Sequence, residues 1–220
     1  MSAPLGSSQG TDTARRILVR AAVVATICAV LYLLGLAGRL LVNGSLHAAS
    51  SPGVQSISAV VALIWNCSLL VLFVSLSRLV AEDRQPLAEI AAAFSAVLCA
   101  TSSVNWFVQL AVMPKLANAG ESPLSAVLDV RNSFSITYSM EHLGWGLFFG
   151  LAALFAAAAF GRSPLEQGIR WLLAAAGLLS LVHLAGIVLA SPAITDIGYI
   201  AWGLLLSLAT ALLVVRFRSR

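Results

Sequence analysis

Six apolar stretches, each about as long as a helix must be to cross a hydrocarbon core, leave this chain little choice of fold. A spanning helix needs about 20 mostly apolar residues at a rise of about 1.5 Å each. Runs of that kind cover residues 17–41, 57–78, 87–112, 136–160, 170–190 and 195–215. Ser, Pro and Gly punctuate their ends, as at Ser51-Pro52-Gly53, Arg162-Ser163-Pro164 and Ser191-Pro192. Because a backbone in lipid must satisfy its own hydrogen bonds, the expectation is an all-α polytopic membrane protein with six transmembrane helices. Residues 15–220 form one domain in this reading, and residues 1–14, rich in Ser, Gly and Thr, a disordered cytoplasmic tail. With 60% hydrophobic and 10% charged residues, the composition points to the lipid bilayer as the first partner.

The basic residues set an orientation. With the N-terminus in the cytoplasm, the inner side carries Arg15, Arg16, Arg20, Arg78, Arg84, Arg162, Arg170, Arg216, Arg218 and Arg220, and the outer side Arg39, Lys115 and Arg131. Lys and Arg are retained on the cytoplasmic side, so both termini are expected there. The net charge of +4 is thereby explained by topology and implies no nucleic acid. One lysine against twelve arginines, with abundant alanine, is a composition associated with GC-rich bacterial genomes, and the expected location is a bacterial plasma membrane. The basic start and apolar run of residues 15–50 are too long for a signal peptide and read as a retained helix. Cys28, Cys67 and Cys99 lie in apolar runs without metal-ligand spacing, so they read as packing residues and no metal site is expected. In the long connection 113–135, Ser122-Pro123 begins a short amphipathic pattern expected to lie as a helix at the outer surface.

Within this apolar frame, Glu141 and His142 are the residues most in need of an explanation. A carboxylate in hydrocarbon must be protonated, paired or wet, so it has to face protein or a water-filled cavity. At 100° per residue, Tyr138, Glu141, His142 and Trp145 share a stripe, beside a small-residue groove of Gly146, Gly150, Ala153 and Ala157 suited to close helix approach. The preceding span repeats the spacing: Ser102, Asn105, Trp106 and Gln109 lie together, with Val104, Phe107 and Val108 opposite. Gln109, Glu141, His142 and His183 all fall in roughly the outer third of a ~30 Å core, and Gln109, His183 and Arg39 are the expected partners of Glu141.

The segments Asn105-Trp106-Phe107-Val108-Gln109-Leu110 and Tyr138-Ser139-Met140-Glu141-His142-Leu143-Gly144-Trp145-Gly146 resemble a pattern in uncharacterised bacterial six-helix integral membrane proteins. The resemblance implies the six-helix fold and no assigned activity.

The leading expectation is an outward-facing polar pocket that binds a small or amphiphilic molecule. Asn105, Trp106, Gln109, Tyr138, Glu141, His142, Trp145 and His183 would line it, Glu141 holding a cationic group or exchanging a proton and the indoles forming apolar walls. Three alternatives stand beside it: a structural or accessory subunit, an intramembrane enzyme using Glu141 and His142 as acid and base, and a proton-coupled transporter. Haem ligated by His142 and His183 is a further option, against hydrogen-bonded packing histidines as the simpler one. No hydrolase elbow or phosphate-binding glycine loop is present, so no named catalytic mechanism emerges.

Overall fold

The computed structural model describes residues 7–44, 52–120 and 122–218; His47 lies outside them. Helix α1 is Ser7–Asn43, α2 Pro52–Ser77 and α3 Gln85–Ala111; two short helices follow, α4 Met113–Ala119 and α5 Ser122–Leu128. Helix α6 spans Ile136–Ala159, α7 Pro164–Val188 and α8 Pro192–Arg218, the last with a bend near Asp196. Six of these helices are long and apolar enough to cross a membrane, and the described residues contain no strand. The protein is therefore an all-α, multi-pass membrane protein. Its exposed surface agrees: Leu34, Val104, Phe107 and Leu178 are all more than half exposed. Such a surface is stable only when covered by acyl chains.

Several spans begin earlier than their hydropathy suggests, two of them for clear local reasons. Helix α1 includes residues 7–14, expected as a loose tail: Thr13 Oγ1 donates to the Gln9 carbonyl at 2.9 Å, and Arg15 pairs with Asp12 at 3.4 Å one turn away. Helix α7 starts at Pro164 instead of near residue 170, because Ser163 caps it by accepting from Glu166 N, and Pro164 occupies the first turn. Glu166 then accepts from Arg216 Nη2 at 2.7 Å, pinning α7 to α8.

The long helices alternate in direction, and each packs against the next in the chain. The last, α8, returns to α1, where Thr26 Oγ1 bonds Thr210 Oγ1 at 2.8 Å. The result is a closed ring of six. The end holding residues 7–20 and 206–218 is called the terminal end below, and the opposite one the loop end. Toward the terminal end the ring is filled by Leu18, Phe73, Leu76, Ile169, Leu173 and Leu213; toward the middle by Trp65, Phe149, Trp145, Trp202 and Leu206. The small-residue groove of α6 takes α7: a Cβ on Gly177 would meet the Gly150 carbonyl oxygen at 2.7 Å, and one on Gly146 would meet Leu184 Cβ at 2.9 Å. Only glycines allow so close an approach.

Helices α6 and α8 each contain a π-helical stretch, Gly144–Phe148 and Ile200–Leu205, marked by Phe149 N bonding the Gly144 carbonyl and Leu206 N that of Ala201. Each stretch holds one tryptophan.

At the loop end the surface helix expected from Ser122-Pro123 is present as α5, joined by α4 before it. Gly120 separates the two at φ +72°, a left-handed conformation that glycine adopts without cost. Burial pushes the Asp129 carboxyl up, but hydrogen bonds from the Arg131 guanidinium and backbone N–H, with its charge, outweigh that and hold it below the usual carboxylate range. Ser135 Oγ, at the start of α6, donates to the Asp129 carbonyl at 2.7 Å and ties the connection to that helix.

Candidate functional site

Glu141 projects from the loop-end half of α6 toward α3, and its side chain is buried. Trp106 Nε1 donates to Oε1 at 2.7 Å and Trp145 Nε1 donates to the same oxygen at 2.9 Å. Asn105 Nδ2 donates to Oε2 at 2.8 Å, and Ser102 Oγ lies 2.9 and 3.1 Å from the two oxygens. Ser102 in turn accepts from Asn66 Nδ2 at 2.9 Å, which ties α2 into the network. Every one of these neighbours donates, and none is a cation. An ionised carboxylate accepts only, so this donor set is complementary to the anion.

The polar stripe of α3 therefore faces inward, with Ser102, Asn105 and Gln109 buried and Val104 and Phe107 exposed. Its members do not all reach Glu141. Gln109, the expected partner, donates to the Leu128 carbonyl at 2.6 Å and accepts from Val130 N and Gln55 Nε2, so it braces the 112–135 connection. Depth along a helix was right for Gln109, but a returning loop claims its amide. Trp106 and Trp145, expected as apolar walls, donate to the carboxylate through their indole N–H groups. Arg39 and His183 do not bond it either.

His142 faces away from Glu141, as adjacent positions on a helix must. Its Nδ1 lies 2.8 Å from His183 Nε2, and His183 Nδ1 bonds the Thr195 carbonyl at 2.5 Å. A carbonyl only accepts, so His183 carries its proton on Nδ1 and offers a lone pair at Nε2. His142 consequently donates from Nδ1 and is left with an acceptor at Nε2. The expected encounter of the two imidazoles is thus present as a hydrogen bond. Two nitrogens sharing a metal ion at ~2.0–2.1 Å each stand about 3.3 Å apart in a tetrahedral site and about 4 Å apart across a haem, so the 2.8 Å pair is placed as a hydrogen bond. Among the described residues no cluster of three His, Cys, Asp or Glu could hold a metal ion.

Tyr138 lies against His142, ring centroids 4.0 Å apart and planes tilted by 58°. Gly198 makes the His183 arrangement feasible: a Cβ there would lie 2.6 Å from His183 Nδ1 and 2.9 Å from Trp202 Cη2. Gly198→Ala is expected to displace the imidazole and lower stability by about 1–3 kcal/mol, measured by thermal unfolding in detergent; an unchanged midpoint would show that the ring has room.

Beneath these polar groups lies an aromatic floor. Trp65 of α2, Trp145 of α6 and Trp202 of α8 meet across the ring axis, at 4.8 Å between Trp65 and Trp145 and 5.5 Å between Trp145 and Trp202. Trp202 Nε1 donates to Ser180 Oγ at 2.9 Å, and Tyr32 leans on Trp65 at 5.6 Å. The convergence of Trp65 and Trp202 on Trp145 is not something that hydropathy reveals. A signal existed: Gly144-Trp145-Gly146-Leu147 and Ala201-Trp202-Gly203-Leu204 share a small-Trp-Gly-Leu pattern, and both become π-helical.

Several polar atoms here lack hydrogen-bond partners among the described residues: Asn66 Oδ1, Asn105 Oδ1, Trp65 Nε1 and, nearer the loop end, Arg39 Nε. Two surface hollows, of about 420 and 280 Å³, lie elsewhere, along α1 and α2. Glu141 itself is 9% exposed. No protein-family model, curated protein or solved structure matches the chain.

Proposed function

We propose that this protein sits in a bacterial plasma membrane with both termini in the cytoplasm, and binds a small or amphiphilic organic cation at its outer end, on Glu141. Ten of its thirteen basic residues on one side of the membrane support the orientation. One observation carries the binding reading: a buried carboxylate is surrounded by hydrogen-bond donors from four neutral side chains, with no cation bonded to it. Burying an uncompensated charge is costly, and an arriving cation would offset that cost. The indole faces of Trp65, Trp145 and Trp202 provide the matching cation–π surface. The two unpartnered amide oxygens supply acceptors for an ammonium N–H.

A structural brace is the second reading, favoured by the full enclosure of Glu141 and by its joining of α2, α3 and α6. Glu141→Gln separates the two. The glutamine oxygen can keep both indole donors, and Asn105, turned over, can present its idle oxygen to the new amide N–H. Fold is therefore expected to survive while charge is lost. Purified protein should show a saturable tryptophan fluorescence change with hexylammonium and none with hexanol, and Glu141→Gln should reduce the hexylammonium affinity at least tenfold. Equal responses to both probes, or an unaltered variant, would leave only the brace. A carrier would further need a polar path to the terminal end, where the interior is Leu, Ala and Phe.

A further inference from the structure

The Glu141 cluster holds a single titratable group. Its donors are two indoles, an amide and a hydroxyl, none of which gains or loses a proton in ordinary media, so its charge is decided at the carboxyl alone. Helix α2 adds the neutral Asn66. The other titratable or charged side chains on the spanning helices of this half are Tyr32 and Arg39 of α1, Cys99 of α3, Tyr138 and His142 of α6, His183 of α7, and Asp196 and Tyr199 of α8. Among the described residues none of them bonds Glu141; the imidazoles are taken up with each other, and Cys99 lies against Ser103. What distinguishes the network is that its polarity can be reversed. As arranged, Asn105 Nδ2 and Ser102 Oγ donate to Oε2, while Asn105 Oδ1 and Asn66 Oδ1 are buried with no partner among the described residues. A proton on Oε2 needs an acceptor, and Asn105 provides one by turning its amide over, so that Oδ1 faces the O–H and the NH2 takes the idle position. Ser102 offers a second route, accepting from the O–H and donating in turn to Asn66 Oδ1 once that amide is turned. Oε1, as the carbonyl of the acid, keeps both indoles. The number of hydrogen bonds is the same in either arrangement.

We infer that a proton and the organic cation are alternative ligands of Glu141, so that each cation bound expels one proton. The inference rests on the cation reading given above and adds the partner in its exchange. Either ligand leaves the buried cluster without net charge, whereas the bare carboxylate leaves one charge uncompensated, which an apolar interior penalises. In the exchange the O–H bond of the acid breaks, its electron pair stays on Oε2, and the proton passes to water at the loop end. The ammonium then stands against the carboxylate, and Asn105 turns its NH2 back to Oε2, leaving its oxygen for an ammonium N–H. One positive charge enters as one leaves. Because the two ligands compete, acid weakens cation binding: below the pH at which Glu141 gives up its proton, affinity falls about tenfold per pH unit, and above it the affinity is level.

Two measurements on the full-length protein in detergent separate the parts of this inference. Infrared difference spectra across a pH titration should show the C=O band of a protonated carboxyl that bleaches reversibly as alkali is added and that is missing from Glu141→Gln. At a pH where the band is present, hexylammonium, which stays charged as a lysine side chain does, should bleach it saturably and release one proton per molecule bound, counted with an indicator dye in weak buffer. Glu141→Gln, which has the same shape and no proton to yield, should release none. A titrating band in protein that ignores hexylammonium would overturn the exchange and the cation reading together, and leave the reversible network in place. Hexylammonium that binds without bleaching the band, or with an affinity independent of pH, would overturn the exchange while the cation reading survives. Identical spectra from Glu141→Gln and the parent would overturn the proton site itself.

Discussion

Glu141→Leu is expected to cost on the order of 3–6 kcal/mol of stability, whereas Glu141→Gln leaves the fold nearly intact. Leucine fills the space but accepts nothing, so Trp106 Nε1, Trp145 Nε1 and Asn105 Nδ2 lose their acceptor in a dry interior. Ser102 can turn its hydroxyl back to its own helix and escape. Three orphaned donors at about 1–3 kcal/mol each set the range. Replacing a buried ion pair by apolar residues is often neutral or stabilising, because both partners leave together; here the donors stay behind. Unfolding in mixed micelles with increasing dodecyl sulfate would measure the difference. A leucine variant as stable as the parent would show that the donors find other partners, and the anion-holding description of the site would fail.

Trp145→Ala is expected to cost about 3–5 kcal/mol, the usual penalty for emptying a large aromatic site. Trp145 touches Trp65, Phe149 and Trp202, placing it at the junction of three helices that are not neighbours around the ring. It also supplies one of the two donors to Glu141 Oε1. The two roles are coupled, so Trp145→Ala combined with Glu141→Gln should cost less than the sum of the single changes by 0.5 kcal/mol or more. The same unfolding assay tests both statements; strict additivity would mean that the indole packs without serving the carboxylate.

Much of the fold was legible because hydropathy and helix period are local properties. Six runs gave six spans, and the stripes on α3 and α6 correctly turned Asn105 and Glu141 toward protein. The depth of His142 and His183 correctly brought the imidazoles together. What escaped depended on closure. Gln109 shares a face with Asn105, yet its amide is claimed by residues 128 and 130 of a connection whose path no periodicity reveals. The meeting of Trp65, Trp145 and Trp202 requires α2, α6 and α8 to converge, and that follows only once α8 has returned to α1. The π-helical stretches escaped for a related reason, since a search at 3.6 residues per turn is blind to a locally wider turn. Composition also cannot tell a polar group that lines a void from one whose bonds are filled by neighbours.

A ring that runs in chain order has a lasting consequence for biogenesis. Each newly inserted helix finds its predecessor already waiting, so most packing is available as synthesis proceeds. The exception is the join between the earliest helix and the latest. Until α8 is released, α1 has an uncovered flank, Trp145 lacks one of its aromatic companions and His183 lacks the carbonyl that fixes its tautomer. Maturation of the loop-end cluster is thus the final event in assembly, and quality control of a half-made chain would meet an open crescent.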